Sequence, residues 1–196
     1  MSKQFTINES FSLSGKGLHT GLNIEAKFLP AAENTGIIFK RVDLEGAPEI
    51  HALATYVSAT ERGTVLKKDN ASVSTIEHIM SAFMAHGIDN CIIEINAPEV
   101  PILDGSAKFV VEALNKVGKK ELNAERKFFE VKEEMTFTNG NTTIKLLPAD
   151  DFTAEVTIDF GSPILKKQTA SICGFDGYDK EISSARTFVF VREIAL

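Results

Sequence analysis

Residues 74–87 read STIEHIMSAFMAHG, and this stretch predicts an amphipathic helix whose two ends are both marked. Ser74 is a favoured N-cap residue, and Glu77 three positions later completes a capping box. Gly87 supplies the left-handed residue that commonly ends a helix. Apolar residues recur at steps of three and four, so one stripe of the helix is expected to face a core: Ile76, Ile79, Met80, Phe83 and Met84.

An acid and an imidazole stand side by side in the first turn of this helix. Glu77 and His78 lie where free N–H groups and the positive end of the helix dipole gather. A carboxylate base beside a metal-binding imidazole suits metal-assisted hydrolysis. Both residues also have ordinary explanations, Glu77 as the capping-box acid and His78 as a half-buried histidine. The sequence has no His-Glu-x-x-His spacing, and one imidazole falls short of the three protein ligands of a catalytic zinc.

The composition excludes several classes of protein. The chain has 196 residues, which is enough for one large or two small domains. It is 43% hydrophobic and 24% charged, as in soluble globular proteins, and no apolar run approaches the roughly 20 residues of a membrane span. Residues 1–6 show no apolar stretch of the signal-peptide kind, so no signal peptide is expected. A net charge of −6 argues against nucleic-acid binding. Two cysteines outside any Cys-x-x-Cys pair fit the cytoplasm.

Apolar residues that alternate or run together predict β-strands before and after the helix. The predicted strands cover residues 4–13, 22–29, 37–42, 50–57 and 63–66, and then a central strand at 89–96. A second helix is predicted through residues 109–117, and Gly118 ends it. Asp104 and Ser106 precede this helix, so capping is the plain explanation for both.

The β pattern restarts after a polar stretch, residues 119–126, that lacks periodicity. Further strands are predicted at 127–132, 135–138, 143–147 and 153–160, followed by helices near 178–184 and from 191. We therefore predict an α+β fold of two similar domains, each a β-sheet layered with helices. The first is residues 1–123 and the second, incomplete, is residues 124–196. Because its sheet would be only half covered, we expect the native product to continue past Leu196.

Two loops are candidate walls of a site around the first helix. Residues 15–21 place three glycines around Lys16 and His19, which lets the backbone approach a ligand closely. The loop lacks the Gly-Lys-Ser/Thr ending of a P-loop, and the alternative is a glycine-rich hairpin with two exposed cations. Residues 60–64, just before the helix, are either a wall of the same cleft or a solvated loop.

Seven motifs, taken in order, resemble one family of enzymes. They are GKGLHTG (15–21), PAAENTGI (30–37), STIEH (74–78), GIDN (87–90), NAPEVPILDGSA (96–107), TIDF (157–160) and ARTF (185–188). The chain is similar to the N-terminal two-thirds of the UDP-3-O-acyl-N-acetylglucosamine deacetylases, the zinc amidases of lipid A biosynthesis in Gram-negative bacteria. The resemblance extends from about Phe5 to Leu196. It implies two similar domains of β-sheet and helices that face each other across the active site.

The resemblance also implies roles for individual residues. His78 is expected to be a zinc (Zn2+) ligand, Glu77 the general base acting on zinc-bound water, and Thr187 a donor to the developing oxyanion. Asp104 matches an aspartate on the floor of the site, with its role left open. Positions expected near the substrate are His19, Asp104, Asp159, Phe160 and Phe188.

The implied activity is hydrolysis of the N-acetyl group of UDP-3-O-acyl-N-acetylglucosamine, which gives the free amine and acetate. Two further zinc ligands in a His-x-x-x-Asp segment, and the histidine general acid, lie downstream in the family. The 196-residue chain alone is therefore expected to be inactive and to bind zinc weakly. The alternative is a non-catalytic α+β binding module or a degenerate relative. A cytoplasmic location is expected, with no nucleic-acid partner. A loose membrane association and fusion to another lipid-pathway enzyme stay open.

Overall fold

A computed structural model describes residues 2–140 and 142–188 as a mixed α+β structure. Its strands are β1 (Lys3–Ile7), β2 (Phe11–Lys16), β3 (Asn23–Pro30), β4 (Ile37–Arg41), β5 (Glu49–His51), β6 (Val57–Ala59), β7 (Val65–Lys68), β8 (Ala71–Ser74), β9 (Cys91–Ile95), β10 (Lys119–Glu125), β11 (Met135–Asn139), β12 (Thr142–Leu146), β13 (Thr153–Ile158) and β14 (Gln168–Cys173). The helices are α1 (Glu77–His86), α2 (Lys108–Val117) and the single turn α3 (Tyr178–Glu181), and a 3₁₀ turn covers Ala54–Tyr56. The predicted α+β class is confirmed at this level.

Five strands form the main sheet in the order β2-β3-β9-β4-β5. β4 and β9 are parallel, and the other neighbours are antiparallel. The prediction of a central strand at 89–96 is confirmed, since β9 lies in the middle. Alternate side chains of β9 are fully buried: Cys91, Ile93 and Ile95. Burial raises the pKa of the Cys91 thiol to about 12, so it is an inert core residue.

Helix α1 covers one face of this sheet, and its ends differ in how well the sequence predicts them. Gly87 ends the helix in the left-handed conformation, with φ 65° and ψ 36°, as predicted. The predicted capping box is wrong: Ser74 belongs to β8, its hydroxyl donates to the Pro98 carbonyl at 3.2 Å, and the helix begins only at Glu77. Tertiary pairing of the strand outweighs the local N-cap signal.

The core face of α1 consists mainly of the predicted residues. Ile76, Ile79 and Phe83 are buried, and the Phe83 ring meets Phe28 of β3 edge-on with centroids 6.0 Å apart. Met84 is 60% exposed, so its predicted place in the core is wrong. Ala82 is fully buried instead, so the buried stripe of α1 follows Ile79, Ala82 and Phe83.

Helix α2 ends before Gly118, as predicted, and contacts α1. The following stretch, predicted to lack regular structure, instead forms β10, which pairs antiparallel with β1. Most β10 side chains are exposed and polar. The strand therefore lacks the alternation of apolar and polar residues by which a strand is predicted from the sequence. Its position depends on pairing with the start of the chain.

The described residues form two compact units: residues 2–125 with 179–188, and Arg126–Tyr178. The division at residues 123 and 124 into two similar domains stays a prediction. The second unit contains the hairpins β11–β12 and β13–β14. Its strand predicted at 127–132 is absent from the described residues, whereas β14 was not predicted. The helix predicted from residue 191 lies outside the described residues. Among the described helices, none combines the length and hydropathy of a membrane span.

Candidate functional site

The corner between β8 and α1 places the acid and the imidazole. Thr75 turns the chain there with φ 62°, a left-handed conformation that is strained for a β-branched residue. Its N–H donates to the Thr64 carbonyl at 3.0 Å, and its side chain is buried. Two residues later the helix begins, with Glu77 and His78 in its first turn.

Glu77 is held by a backbone N–H, not by a cation. Its Oε2 atom accepts a hydrogen bond from the N–H of Thr64 at 2.9 Å. Its other oxygen, Oε1, has no hydrogen-bond donor among the described residues, although a Cβ on Gly63 would stand 3.4 Å away. His78 is half-buried, and no described group hydrogen-bonds to its ring. The pair therefore combines one fixed carboxylate, with one oxygen available, and one available imidazole.

The glycine-rich loop approaches the same segment from the other side. The exposed His19 ring places Nε2 3.2 Å from the carbonyl oxygen of Arg62. Arg62 precedes Gly63 and Thr64, so one short segment contacts both His19 and Glu77. Residues 60–64, considered as a wall of the site, thus lie between two of the predicted functional side chains.

A second acidic residue, Glu99, lies behind this loop, and no role was predicted for it from the sequence. Its side chain is 0% exposed and accepts hydrogen bonds from the backbone N–H groups of His19 and Thr20. Hydroxyl groups of Thr20 and Thr75 donate to the same carboxylate, at 2.8 and 3.3 Å. The available sequence signal was an acid between two prolines in an otherwise apolar run, since such an acid is exposed unless it is paired.

Asp104 connects the loop before α2 to the Thr187 segment. Its Oδ1 accepts from the Ser106 hydroxyl at 2.7 Å, and its Oδ2 accepts from the Arg186 guanidinium at 3.1 Å. These contacts, the Ser106 hydrogen bond first, hold the pKa of Asp104 below its usual value although burial acts in the opposite direction. Asp104 does not cap α2; the Ser106 hydroxyl instead accepts from the N–H of Lys108 at 3.2 Å.

Thr187 is held through its backbone. Its N–H donates to the Gly105 carbonyl at 2.8 Å, and Gly105 has φ 82°, a left-handed conformation that favours glycine. A Cβ on Gly105 would stand 3.4 Å from the Thr187 methyl group, so the two segments lie in close contact. Thr187 and its neighbour Phe188 are exposed.

Two predicted substrate residues, Asp159 and Phe160, belong to the second unit. Asp159 accepts a hydrogen bond from the N–H of Gly161 at 2.9 Å, and both side chains are exposed. Within the first unit, residues 62–64 thus contact both His19 and Glu77, and Arg186, the residue before Thr187, contacts Asp104. Asp159 and Phe160 adjoin each other at the end of β13.

The donor set for a metal is incomplete within residues 2–140 and 142–188. No three His, Cys, Asp or Glu side chains in these ranges stand close enough together to hold an ion. A catalytic zinc takes three protein ligands and leaves one position for water. The sequence predicts one such ligand in these ranges, His78.

Comparison with known proteins relates nearly the whole chain to one family. The family model described as LpxC, UDP-3-O-acyl N-acetylglycosamine deacetylase, matches residues 4–196. A bifunctional enzyme LpxC/FabZ of Porphyromonas gingivalis is 50% identical over 198 residues, which cover 100% of this chain and 43% of the relative. The UDP-3-O-acyl-N-acetylglucosamine deacetylase of Saccharophagus degradans is 42% identical over 197 residues, which cover 99% of this chain and 65% of the relative. The chain therefore spans only part of the length of these relatives.

Proposed function

Because the chain belongs to the UDP-3-O-acyl N-acetylglycosamine deacetylase family, we propose that it supplies the Glu77–His78 part of an amidase site. The substrate is a UDP-linked, 3-O-acylated N-acetylglucosamine, and the products are the free amine and acetate. This reaction belongs to lipid A biosynthesis. The observation that carries the proposal is a carboxylate fixed by a backbone N–H, next to an available imidazole, at a helix N-terminus.

Glu77 accepts the proton of the attacking water. The Thr64 N–H fixes Oε2 and leaves Oε1 to face the water, so the carboxylate does not have to reorient during the reaction. The half-buried position removes part of the solvent that would otherwise compete for this oxygen. These features support the role of general base.

His78 is one ligand of a zinc ion in this proposal. The described residues do not complete a zinc site by themselves, so no step of the reaction is derived through the metal. Zinc, when bound, polarises an amide carbonyl and lowers the pKa of its bound water to about 7. The role of His78 is supported by the absence of any hydrogen-bond partner for its ring among the described residues.

Thr187 donates its hydroxyl to the oxyanion that forms on the acetyl carbonyl. The support is positional, because the Gly105 carbonyl fixes the Thr187 backbone while the side chain stays exposed. Asp104 aids this placement by binding Arg186, the preceding residue. Asp104 therefore acts on the substrate through Thr187 and belongs to the positioning contacts of the site.

His19, Phe188, Asp159 and Phe160 bind the nucleotide-sugar and its phosphates in this proposal. His19 is exposed on a loop whose backbone is fixed by Glu99, which suits a residue that orients a ligand. The enzyme works in the cytoplasm, and its amphiphilic substrate is compatible with a loose association with the membrane.

The proposal is tested by acetate release and zinc content in the full-length protein. Glu77→Gln keeps the shape and the Thr64 contact but removes the base, so kcat is expected to fall about 100-fold or more with zinc retained. His78→Ala is expected to lose both zinc and activity. Glu112→Gln, on the exposed face of α2, is the matched control. Full activity of Glu77→Gln, or full zinc content in His78→Ala, would remove the residue concerned from the site.

A further inference from the structure

Glu99 is an unusual acid because it is completely buried and forms no ion pair with the described residues. None of the ion pairs formed by the described residues includes it, yet its side chain is 0% exposed. A buried carboxylate is costly unless hydrogen bonds replace its hydration. Four donors do so: the N–H groups of His19 and Thr20 and the hydroxyls of Thr20 and Thr75.

Three of the four donors belong to the glycine-rich loop: the N–H groups of His19 and Thr20 and the Thr20 hydroxyl. The His19 N–H lies 3.0 Å from Oε1, and the Thr20 N–H lies 2.9 Å from Oε2. A Cβ on Gly17 would stand 2.4 Å from Oε2 and 2.3 Å from the Thr20 hydroxyl oxygen. The loop therefore closes directly onto the carboxylate, and glycine is required at position 17 for space.

The remaining donor belongs to the corner that precedes α1. Thr75 holds a left-handed φ of 62° with its side chain buried, a conformation that persists only where surrounding contacts enforce it. Its N–H is bound to Thr64 and its hydroxyl to Glu99. Thr64 also binds Glu77. The strained corner is thus fixed by the contacts that place the proposed base.

We propose that Glu99 is a positioning residue that holds the His19 loop and the Thr75 corner in one fixed relation. It thereby sets where the substrate-binding loop stands relative to Glu77 and His78. The catalytic importance of this relation depends on the proposed function, whereas the hydrogen-bond arrangement does not. Glu99 touches neither water nor substrate and acts only through the two segments that it connects.

The ionised form of Glu99 fits this role. Burial by itself would raise the pKa of Glu99, but the N–H groups of His19 and Thr20 and the Thr20 hydroxyl together hold it below the usual value. Four donors directed at two oxygens match a carboxylate. An amide at this position would direct its own N–H groups at some of these donors.

The first test is amide hydrogen exchange, which needs no activity. In Glu99→Gln, the His19 and Thr20 amides lose a charged acceptor and are expected to exchange about tenfold faster or more. Glu94→Gln, a half-exposed acid on β9, is the matched control and is expected to change neither amide. Unchanged exchange at both amides in a folded Glu99→Gln protein would overturn the proposal.

Two variants keep the proposal testable if Glu99→Gln does not fold. Thr20→Val and Thr75→Val each remove one hydroxyl donor while keeping a β-branched side chain. In the full-length protein, Thr20→Val is expected to raise KM and leave kcat, because it loosens the substrate loop. Thr75→Val is expected to lower kcat roughly threefold to tenfold and leave KM. Glu99→Gln is expected to change both KM and kcat, and Glu99→Asp is expected to restore part of the activity.

The outcomes separate this inference from the proposed function. Identical kinetic changes in the two valine variants would show that Glu99 only stabilises the fold, and would overturn the positioning role. Full activity of Glu77→Gln would overturn the proposed reaction. The exchange rates of His19 and Thr20 would still report whether Glu99 fixes the loop.

Discussion

Glu99 and Asp104 lie in the same loop, residues 96–107, yet the structure holds them in opposite ways. Glu99 is fully buried and accepts only from backbone N–H groups and hydroxyls. The Asp104 side chain is 18% exposed and pairs with Arg186, whose side chain is 68% exposed. Each acid fixes a segment that carries proposed site residues, His19 for Glu99 and Thr187 for Asp104.

The difference shows that burial, not formal charge, decides how much the contacts of an acidic side chain contribute to the free energy of unfolding. Removing the acceptor from buried donors leaves each of them unsatisfied, at about 1–3 kcal/mol per group. An ion pair with one exposed partner contributes about 0–1 kcal/mol and is screened by salt. The Glu99 contacts should therefore dominate stability, whereas the Asp104 contact should adjust only the local position of Thr187.

The largest effect is expected for Glu99→Ala. The part-buried N–H groups of His19 and Thr20 and the buried Thr75 hydroxyl lose their acceptor, so the free energy of unfolding is expected to fall by about 2–5 kcal/mol. Urea denaturation measures the change. Glu94→Ala, which removes a half-exposed acid near Lys40, is expected to stay within about 0.5 kcal/mol of the unmodified chain. Equal losses of unfolding free energy in the two variants would contradict the predicted difference between buried and exposed acids.

The second effect is expected for Gly17→Ala. The new Cβ would overlap the Thr20 hydroxyl and the Glu99 carboxylate, which costs about 1–3 kcal/mol of unfolding free energy. Because part of the strain arises at Glu99, beside the overlap with the Thr20 hydroxyl, Gly17→Ala is expected to cost less when Glu99→Ala is already present. Additive losses in the double variant would show that the two residues do not interact.

A smaller effect is expected for Asp104→Asn, about 1 kcal/mol or less at neutral pH. The pKa of Asp104 is lowered, mainly by the Ser106 hydroxyl and with a contribution from Arg186, so the folded state favours the ionised form. Its contribution to stability is present above the ordinary pKa of 3.8 and disappears as the pH falls through the lower pKa of the folded state. The difference between the unmodified chain and Asp104→Asn should shrink over that range in urea titrations. A constant difference would contradict the assignment.

The smallest effect is expected for Arg186→Gln, because its partner contact is largely exposed. A loss of about 0.5 kcal/mol or less is expected, and about 1 M NaCl should abolish it since the Debye length is then about 3 Å. Exchange of the Thr187 amide, which binds the Gly105 carbonyl, is the local measurement. The His19 amide serves as the control, because its acceptor is buried and should resist salt. Equal salt sensitivity at both amides would contradict the comparison.

Local sequence signals predicted most of the first unit correctly. The alternating residues of β3, the apolar run of β9 and the glycines after both long helices all depend on near neighbours in the chain. The same reasoning failed for Ser74 and for β10. In both cases pairing with a distant segment decided the outcome: Ser74 with Pro98 and Glu99, and β10 with β1.

The candidate site divides in the same way. The adjacency of Glu77 and His78 in a first helical turn was readable from the sequence. The contact between Arg186 and Asp104 could not be read from the sequence, because the two residues are 82 positions apart. An arginine can pair with many different carboxylates, so its presence alone does not identify the partner. The roles of the site residues stay predictions until the substitutions above are measured.

The sequence by itself determined most strands and both long helices of the first unit, where α1 and α2 end, and that an acid and an imidazole share one helical turn. These properties follow from side-chain periodicity and from the backbone preferences of glycine. Only the tertiary structure decided that Glu99 is buried, that Gly17 must be glycine and that Thr75 is strained. The His19 amide and the Glu99 carboxylate are 80 residues apart in the chain, and a hydrogen bond across such a separation leaves no local pattern to read.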